Sequence, residues 1–453
     1  MSDYNSVAQD TINPIGSMRF RKIAPRPKCV EDTGLSREFL AELAAKHLQA
    51  HGTLSLSALA NALCLSGAIV EHVLNFMRSE ARIEIRPSHA DNIGLKYTLT
   101  DRGRSGALDA LLRSGYVGPA PVPVKQYARV ARAQTIHKQS VSRATMNGAF
   151  HDIVLDQELL DRLGASMNSG RAVFLYGSAG TGKTYVSQRL TRLFPDPVLI
   201  PYAIAVGENV IQLFDPLVHK VIDQAMTDGD YQLDRGHDPR FQVCERPAVI
   251  TAGELSADML EVMYEPSTKT YEAPLQLKAN NGVFILDDLG RQRIEPSVLF
   301  NRWIVPLEEK RDYLNLKSGR HFSVPFDVVL VFSTNIHPLE LADEAFLRRI
   351  GYKIKFTPLT IEEYERIWRD TCLALEVDYD PDVLKFAINE LHTRSGVDLL
   401  PCHPRDLISM AVDNSLYTVN QRYVDREGLL WAWRNYFVSL EGNSRTGRHQ
   451  AIG

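Results

Sequence analysis

The run Ala172-Val173-Phe174-Leu175-Tyr176, followed by Gly177-Ser178-Ala179-Gly180-Thr181-Gly182-Lys183-Thr184, decides the fold class of this chain. Five apolar residues make a buried strand candidate, and Tyr185 to Leu193 continues with helical spacing. Strand, glycine-rich turn and helix form the context in which the G-x-x-x-x-G-K-[ST] pattern has a mechanism. Glycines let the backbone curl until its N–H groups point inward at phosphate oxygens, and the helix start adds its positive end. Lys183 is placed to reach the β- and γ-phosphates, and the Thr184 hydroxyl to ligate Mg²⁺.

Two further strands fit the same chemistry. Val283-Phe284-Ile285-Leu286 ends in Asp287 and Asp288: the first is the expected Mg²⁺-side carboxylate, the second stands where a water-activating base belongs. Val328 to Phe332 ends in Ser333-Thr334-Asn335, and a side-chain amide there can hold the attacking water. GTPases need an N-K-x-D run and none occurs, so the expected nucleotide is ATP. The serine-glycine-glycine signature of transporter ATPases is also missing after the glycine loop; Leu65-Ser66-Gly67 precedes it.

Outward from this centre, short apolar runs alternate with helical patterns from 150 to 357, the signature of a parallel α/β sheet. Residues 358–440 read as purely helical and 441–453 as a polar tail. Residues 1–30 form a polar arm ending in Arg19, Arg21, Lys22, Arg26 and Lys28, expected to be flexible. Residues 118–149 read as a linker that is proline-punctuated at its start and carries Lys125, Arg129, Arg132, Lys138 and Arg143 without an acid. Between Lys183 and Asp287 there is more chain than a minimal core needs, and 228–271 reads as an insertion of functional-loop type.

With 453 residues the chain should hold two to three domains. A formal net charge of −4 supplies no global pull toward nucleic acid or acidic membrane, so any such binding needs a local patch. Five dispersed cysteines read as reduced thiols, and Cys402-His403 lacks a second pair at metal-ligand spacing. No apolar run approaches the length of a bilayer, and Met1 to Gly16 lacks a signal-peptide pattern; the expectation is a cytosolic protein without membrane insertion.

Residues 31–117 resemble a winged-helix domain, on apolar residues at helical spacing (Phe39 to Leu48), a helix–turn–helix pair around Cys64 to Ser66, and a hairpin carrying Ile83, Ile85, Leu95, Tyr97 and Leu99 about a turn at Asp91-Asn92. The larger part, about 150 to 440, resembles the AAA+ ATPases in its full order of motifs. Lys183 and Thr184 match Walker A, Asp287 and Asp288 Walker B, and Asn335 sensor 1; Arg348 or Arg349 matches the arginine finger and Arg405 sensor 2. That likeness implies an α/β core with a C-terminal helical lid, ATP hydrolysis with Mg²⁺, and a ring of subunits, commonly six, in which the finger acts on a neighbour's ATP. The usual second Walker B acid is Glu, and Asp288 is one methylene shorter, which implies slower turnover.

A helix from Val298 to Glu309, then strand, turn and strand through Tyr313-Leu314-Asn315-Leu316, Lys317-Ser318-Gly319-Arg320 and His321-Phe322-Ser323-Val324, looks like the pre-sensor-1 hairpin of one AAA+ branch. Lys317 and Arg320 at its tip would then face a pore. Phrases such as Tyr271-Glu272-Ala273-Pro274 and Asn301-Arg302-Trp303-Ile304 are similar to bacterial predicted chaperone-like ATPases, sometimes linked to Flp pilus assembly. Three functional expectations follow: a chaperone-like motor on a protein partner, a nucleic-acid-dependent ATPase contacting DNA through 31–117 and the basic linker, and an ATP-binding scaffold of slow turnover.

Overall fold

The computed structural model describes residues 14–86, 95–222 and 236–437. The expected hairpin turn at Asp91-Asn92, the first part of the arm, Arg235 and the tail lie outside them. After α1 (Pro14–Ile23) comes α2 (Arg37–His51), capped by the Ser36 hydroxyl accepting from the Phe39 N–H. Next are β1 (Thr53–Ser55), α3 (Leu56–Leu63) and α4 (Gly67–Ser79), the last two meeting at 110°. β2 (Ile83–Arg86) and β3 (Lys96–Leu99) precede α5 (Asp101–Arg113), and β3 lies between β1 and β2, antiparallel to both. The helical period accounts for the packing. α2 turns Leu40, Leu43, Ala44 and Leu48, and α4 turns Val70, Val73, Leu74 and Met77, into one core with Leu59, Leu63, Ile83 and Leu99.

The chain continues through β4 (Val122–Pro123), α6 (Val124–Ala133), α7 (Arg143–Ala149) and α8 (Gln157–Asn168) to β5 (Val173–Tyr176) and α9 (Lys183–Arg189). Then follow β6 (Val198–Pro201), β7 (Ala203–Val206), β8 (Asn209–Gln212), β9 (Phe241–Cys244), β10 (Ala248–Thr251), β11 (Met263–Glu265) and β12 (Thr270–Glu272). α10 (Leu275–Lys278) leads to β13 (Val283–Leu286) and α11 (Pro296–Glu309), then to the hairpin β14 (Arg311–Asn315) and β15 (His321–Pro325). β16 (Val329–Thr334), α12 (Pro338–Leu341), α13 (Glu344–Arg349) and β17 (Tyr352–Lys355) complete the α/β part.

The centre is a five-stranded, all-parallel sheet in the order β10-β13-β16-β5-β17. Its inner strands are buried and mainly apolar because both faces are covered. Phe174, Phe284, Leu286 and Phe332 pack on one side against Phe300, Trp303 and Phe346. Val173, Leu175, Ile285 and Val331 pack on the other against Leu163, Met167, Val186 and Leu190. The fold class is therefore the expected one, α/β about a parallel sheet.

Several expectations need correction. Residues 14–30 do not form a free arm over their whole length: Phe20 of α1 and Ala24 just past its end are buried beside Tyr127 and Val130 of α6. The stretch 118–149 is not a tether, since β4 forms the edge of a second five-stranded sheet, β11-β12-β8-β7-β4. Within 228–271, Ala248–Thr251 is the edge strand of the central sheet itself, and β11 and β12 extend the second sheet. The tip of the β14–β15 hairpin rests on its own chain, with Lys317 Nζ 4.9 Å from the Tyr264 ring centre and Arg320 against Gly207.

Buried polar ties weld these parts. Arg240, 1% exposed, holds Asp238 and donates to the carbonyls of Thr33 (2.9 Å) and Pro121 (3.3 Å), joining the N-terminal unit to the second sheet. Asp327 accepts from Thr135 Oγ1 (2.6 Å), the Ile136 N–H (3.1 Å) and Asn281 Nδ2.

Past β17 the chain is helical: α14 (Ile361–Ala374), α15 (Pro381–Phe386) running into a π-helical segment (Ala387–Thr393), α16 (Cys402–Val419) and α17 (Arg426–Tyr436). These have their own core of Tyr364, Trp368, Leu407, Ile408, Leu429 and Trp433. Among the described residues no single helix is long and apolar enough to cross a membrane.

Replacing Arg240 by Ala would leave the Asp238 carboxylate buried and unpaired, which costs about 3–5 kcal/mol in comparable sites. A denaturant titration of Arg240→Ala should show a loss of that size; a loss below about 1 kcal/mol would mean that the pair does not hold the units together.

Candidate active site

β5 ends at Tyr176, and the chain turns at Gly177, whose φ of 149° favours glycine. A Cβ there would lie 2.3 Å from the Phe356 carbonyl oxygen, so the end of β17 also demands glycine. Ser178, Ala179, Gly180 and Thr181 curl over, Gly182 adopts φ 85°, and Lys183 opens α9. The Thr181 hydroxyl closes the loop on the Ser178 carbonyl at 2.8 Å.

Lys183 is buried, and its ammonium has four acceptors. It donates to the carbonyls of Gly177 (2.9 Å) and Ser178 (2.8 Å), to Thr181 Oγ1 (3.3 Å) and to Asn335 Oδ1 (2.8 Å). Burial pushes the Lys183 ammonium below the usual lysine range, while the nearby charges of Asp287 and Asp288 pull it back. Thr184 stands exposed at the loop's mouth.

β13 and β16 bring the other groups to the same sheet edge. The Asp287 N–H donates to the Thr251 carbonyl at 2.8 Å, the Asp288 N–H to Asp287 Oδ1 at 3.1 Å, and Asn335 Nδ2 to Asp288 Oδ1 at 3.4 Å. Asn335 thus links Lys183 to Asp288. The left-handed backbone of Asp288 (φ 48°) turns the chain away from β13. Gln292 holds that turn, donating to the carbonyls of Asp287 (3.0 Å) and Asp288 (3.2 Å). Sequence reading passed over Gln292 because it belongs to no motif and its role depends on how the loop folds back.

The helical segment covers the glycine loop. A Cβ on Gly180 would meet Cys402 Sγ at 2.7 Å, and one on Gly182 would meet Pro401 Cγ at 3.7 Å. Arg405 lies one turn farther along α16; it is exposed and its side chain contacts Asp406 at 3.1 Å. Arg348 and Arg349 are not drawn into the cluster. Arg348 pairs with Glu344 at 3.7 Å and Arg349 with Glu308 at 2.7 Å, and both line a separate cleft of about 340 Å³ with Ser169 and Lys310.

The residues suit a magnesium–triphosphate. The loop's glycines take the positive φ that curls its backbone, one buried ammonium lies inside the curl, and a carboxylate and a hydroxyl stand at its rim. Among the described residues no group of three or more His, Cys, Asp or Glu is set to hold a metal alone. Mg²⁺ beside phosphates uses only one or two carboxylates.

Comparison with known proteins gives one family match, to a domain of unknown function (DUF8689) over residues 360–435, the helical segment. No curated protein matches the chain. Among solved structures, the RuvB Holliday junction branch migration motor of Thermotoga maritima is similar at 13% identity and TM-score 0.34, covering 66% of this chain and 72% of that one. NtrX from Brucella abortus is similar at 11% identity and TM-score 0.38, covering 62% and 56%. Likenesses this distant carry no functional inference; the strand order and the loop geometry of this chain do.

The cover over the loop contains a pH-sensitive group. His403, on the first turn of α16, is buried among His392, Tyr436 and Phe437, with ring centres 5.2, 5.8 and 5.4 Å away. Burial, aided by His392, pushes its pKa from 6.5 to about 4. As pH falls below 6.5 the unfolded chain takes up the proton first, so stability is lost between about pH 6.5 and 4, roughly 2 kcal/mol by pH 5. Thermal melts at pH 7 and 5 should show this loss for the parent protein and a smaller one for His403→Leu; equal losses would assign it elsewhere.

Proposed function

We propose that this protein is an AAA+-type ATPase that binds ATP with Mg²⁺, hydrolyses it, and uses the cycle to remodel a macromolecular partner. One observation carries the reading: a buried lysine ammonium on a glycine loop, joined through Asn335 to the strand-end acid Asp288. A bound triphosphate offers the Lys183 ammonium phosphate oxygens in place of the loop carbonyls it now contacts. Backbone N–H groups of 177–184 would cradle the phosphates, and Thr184 with Asp287 would hold a magnesium ion, which would supply charge neutralisation at the phosphates. Asp288 accepts the proton of the attacking water and Asn335 orients that water. The shorter reach of Asp288 fits slow turnover.

Arg405 belongs to α16, whose start already touches the loop, so it can follow the γ-phosphate as the lid moves. Arg348 and Arg349 sit outside their own site, which supports action on the nucleotide of a neighbouring subunit in a ring. Residues 31–117 we read as a winged-helix module, on the order α2-β1-α3-α4-β2-β3 and the 110° turn. The exposed side chains of α4 include Glu71, His72, Asn75 and Arg78, one acid offsetting one cation, which favours a protein partner on that helix.

Lys183→Ala should abolish ATP turnover, and Asp288→Asn should bind ATP normally while hydrolysing it at least a hundredfold more slowly; a steady-state assay with a binding isotherm separates the two. Parental turnover in Lys183→Ala would remove the site. Mixing Arg348→Ala or Arg349→Ala subunits with Lys183→Ala subunits should restore activity for the variant that lacks the finger, since each partner then supplies what the other lacks. Full activity of a dilute monomer would exclude action between subunits.

A further inference from the structure

The chain as a whole is acidic, at −4, yet one face of it is not. α6 is an amphipathic helix whose buried side carries Tyr127, Val130 and Ala131 and whose outer side carries Lys125, Arg129 and Arg132 at i, i+4 and i+7. α1 packs beside it, with Phe20 and Ala24 in the same apolar cluster, and leaves Arg21 and Lys22 exposed. Lys138, also exposed, follows α6; its neighbour Gln139 and Arg19 of α1 both bind Asp196, at 2.9 and 3.2 Å, which fixes this end of the face. None of the six outer cations has an ion-pair partner among the described residues.

The acids nearby do not cancel them. Neither α1 nor α6 contains an acid. Asp196 is engaged by two arginines, Arg19 and Arg246, so that cluster keeps a net positive charge. Asp238 is buried against Arg240. Glu31 and Asp32 stand only at the end marked by Gln126, which donates to the Asp32 carbonyl at 2.9 Å.

We propose that the α1–α6 face binds the phosphate backbone of a nucleic acid. The three cations of α6 span about 10 Å of helix rise, comparable to three phosphate-to-phosphate steps of one strand at roughly 3.4 Å each along the axis. Arginines pair with phosphate through two N–H groups, and three of the six cations are arginine. A membrane surface is disfavoured because no large apolar side chain is exposed between 118 and 150 or on the described side chains from 19 to 30. Its contacts would be to the backbone, so affinity without strong sequence preference is expected. The inference goes beyond the ATPase reading and does not depend on it.

The test uses the full chain, with fluorescence anisotropy of a labelled duplex and a labelled single strand between 50 and 200 mM salt (concentrations on the order of those in which such slopes are read). The parent should bind, with a log–log salt slope of about −5 on duplex for six contacts. Lys125→Glu/Arg129→Glu/Arg132→Glu should bind at least tenfold more weakly, with the slope reduced by about 3. Its basal ATPase should be unchanged, and Lys183→Ala should bind nucleic acid like the parent, so loss of the ATPase reading would leave this one standing. Unchanged affinity in the triple variant would overturn the proposal. So would loss of binding in Asn75→Ala/Arg78→Ala instead, or equal binding of polyglutamate or anionic phospholipid vesicles. The Gln triple variant, which adds no negative charge, guards against a folding defect and should show an intermediate loss.

Discussion

The ammonium of Lys183 is the point on which this structure turns. A cation out of water needs acceptors, and here they come from three places at once: the glycine loop, the end of β16 through Asn335, and the field of Asp287 and Asp288 at the end of β13. Each can arrive only if β5, β16 and β13 are adjacent, parallel and in register. The central sheet order supplies that, with Leu286 opposite Phe332 and Thr334 opposite Tyr176. Loop, strand ends and sheet are therefore one constraint.

Around that constraint the molecule divides into a rigid part and a separate one. Arg240, Asp327 and Arg246 are buried ion or hydrogen-bond centres that bind α1, α6 and the N-terminal unit to the two sheets. A unit held this way moves with the sheets. The C-terminal helices instead have a core of their own and touch the glycine loop through Leu400, Pro401 and Cys402. A body with its own core and a small contact on the glycine loop is the part that the proposed cycle would move.

Legibility in the sequence followed the physics of each element. The glycine loop, both strand-end acids and Asn335 were readable because local chemistry specifies them: a positive-φ turn, a lysine opening a helix, apolar strands ending in polar groups. In the arm and the linker a density of charge masks a helical period. Phe20 and Ala24, and Tyr127, Val130 and Ala131, already have helical spacing with apolar side chains on one face. The edge strand β10 was hidden for another reason. Four apolar-leaning residues inside a long segment look the same whether they join the central sheet or a loop.

The sequence alone determined the glycine loop between strand and helix and the parallel α/β class, because both rest on residue types at short spacing. Tertiary structure decided what distance along the chain conceals. It chose β10 as the outer strand, set Gln292 behind Asp287 and Asp288, laid Cys402 over Gly180, and packed α1 beside α6. Those outcomes depend on which surfaces bury one another, and burial is a property of the whole packed chain rather than of any segment within it.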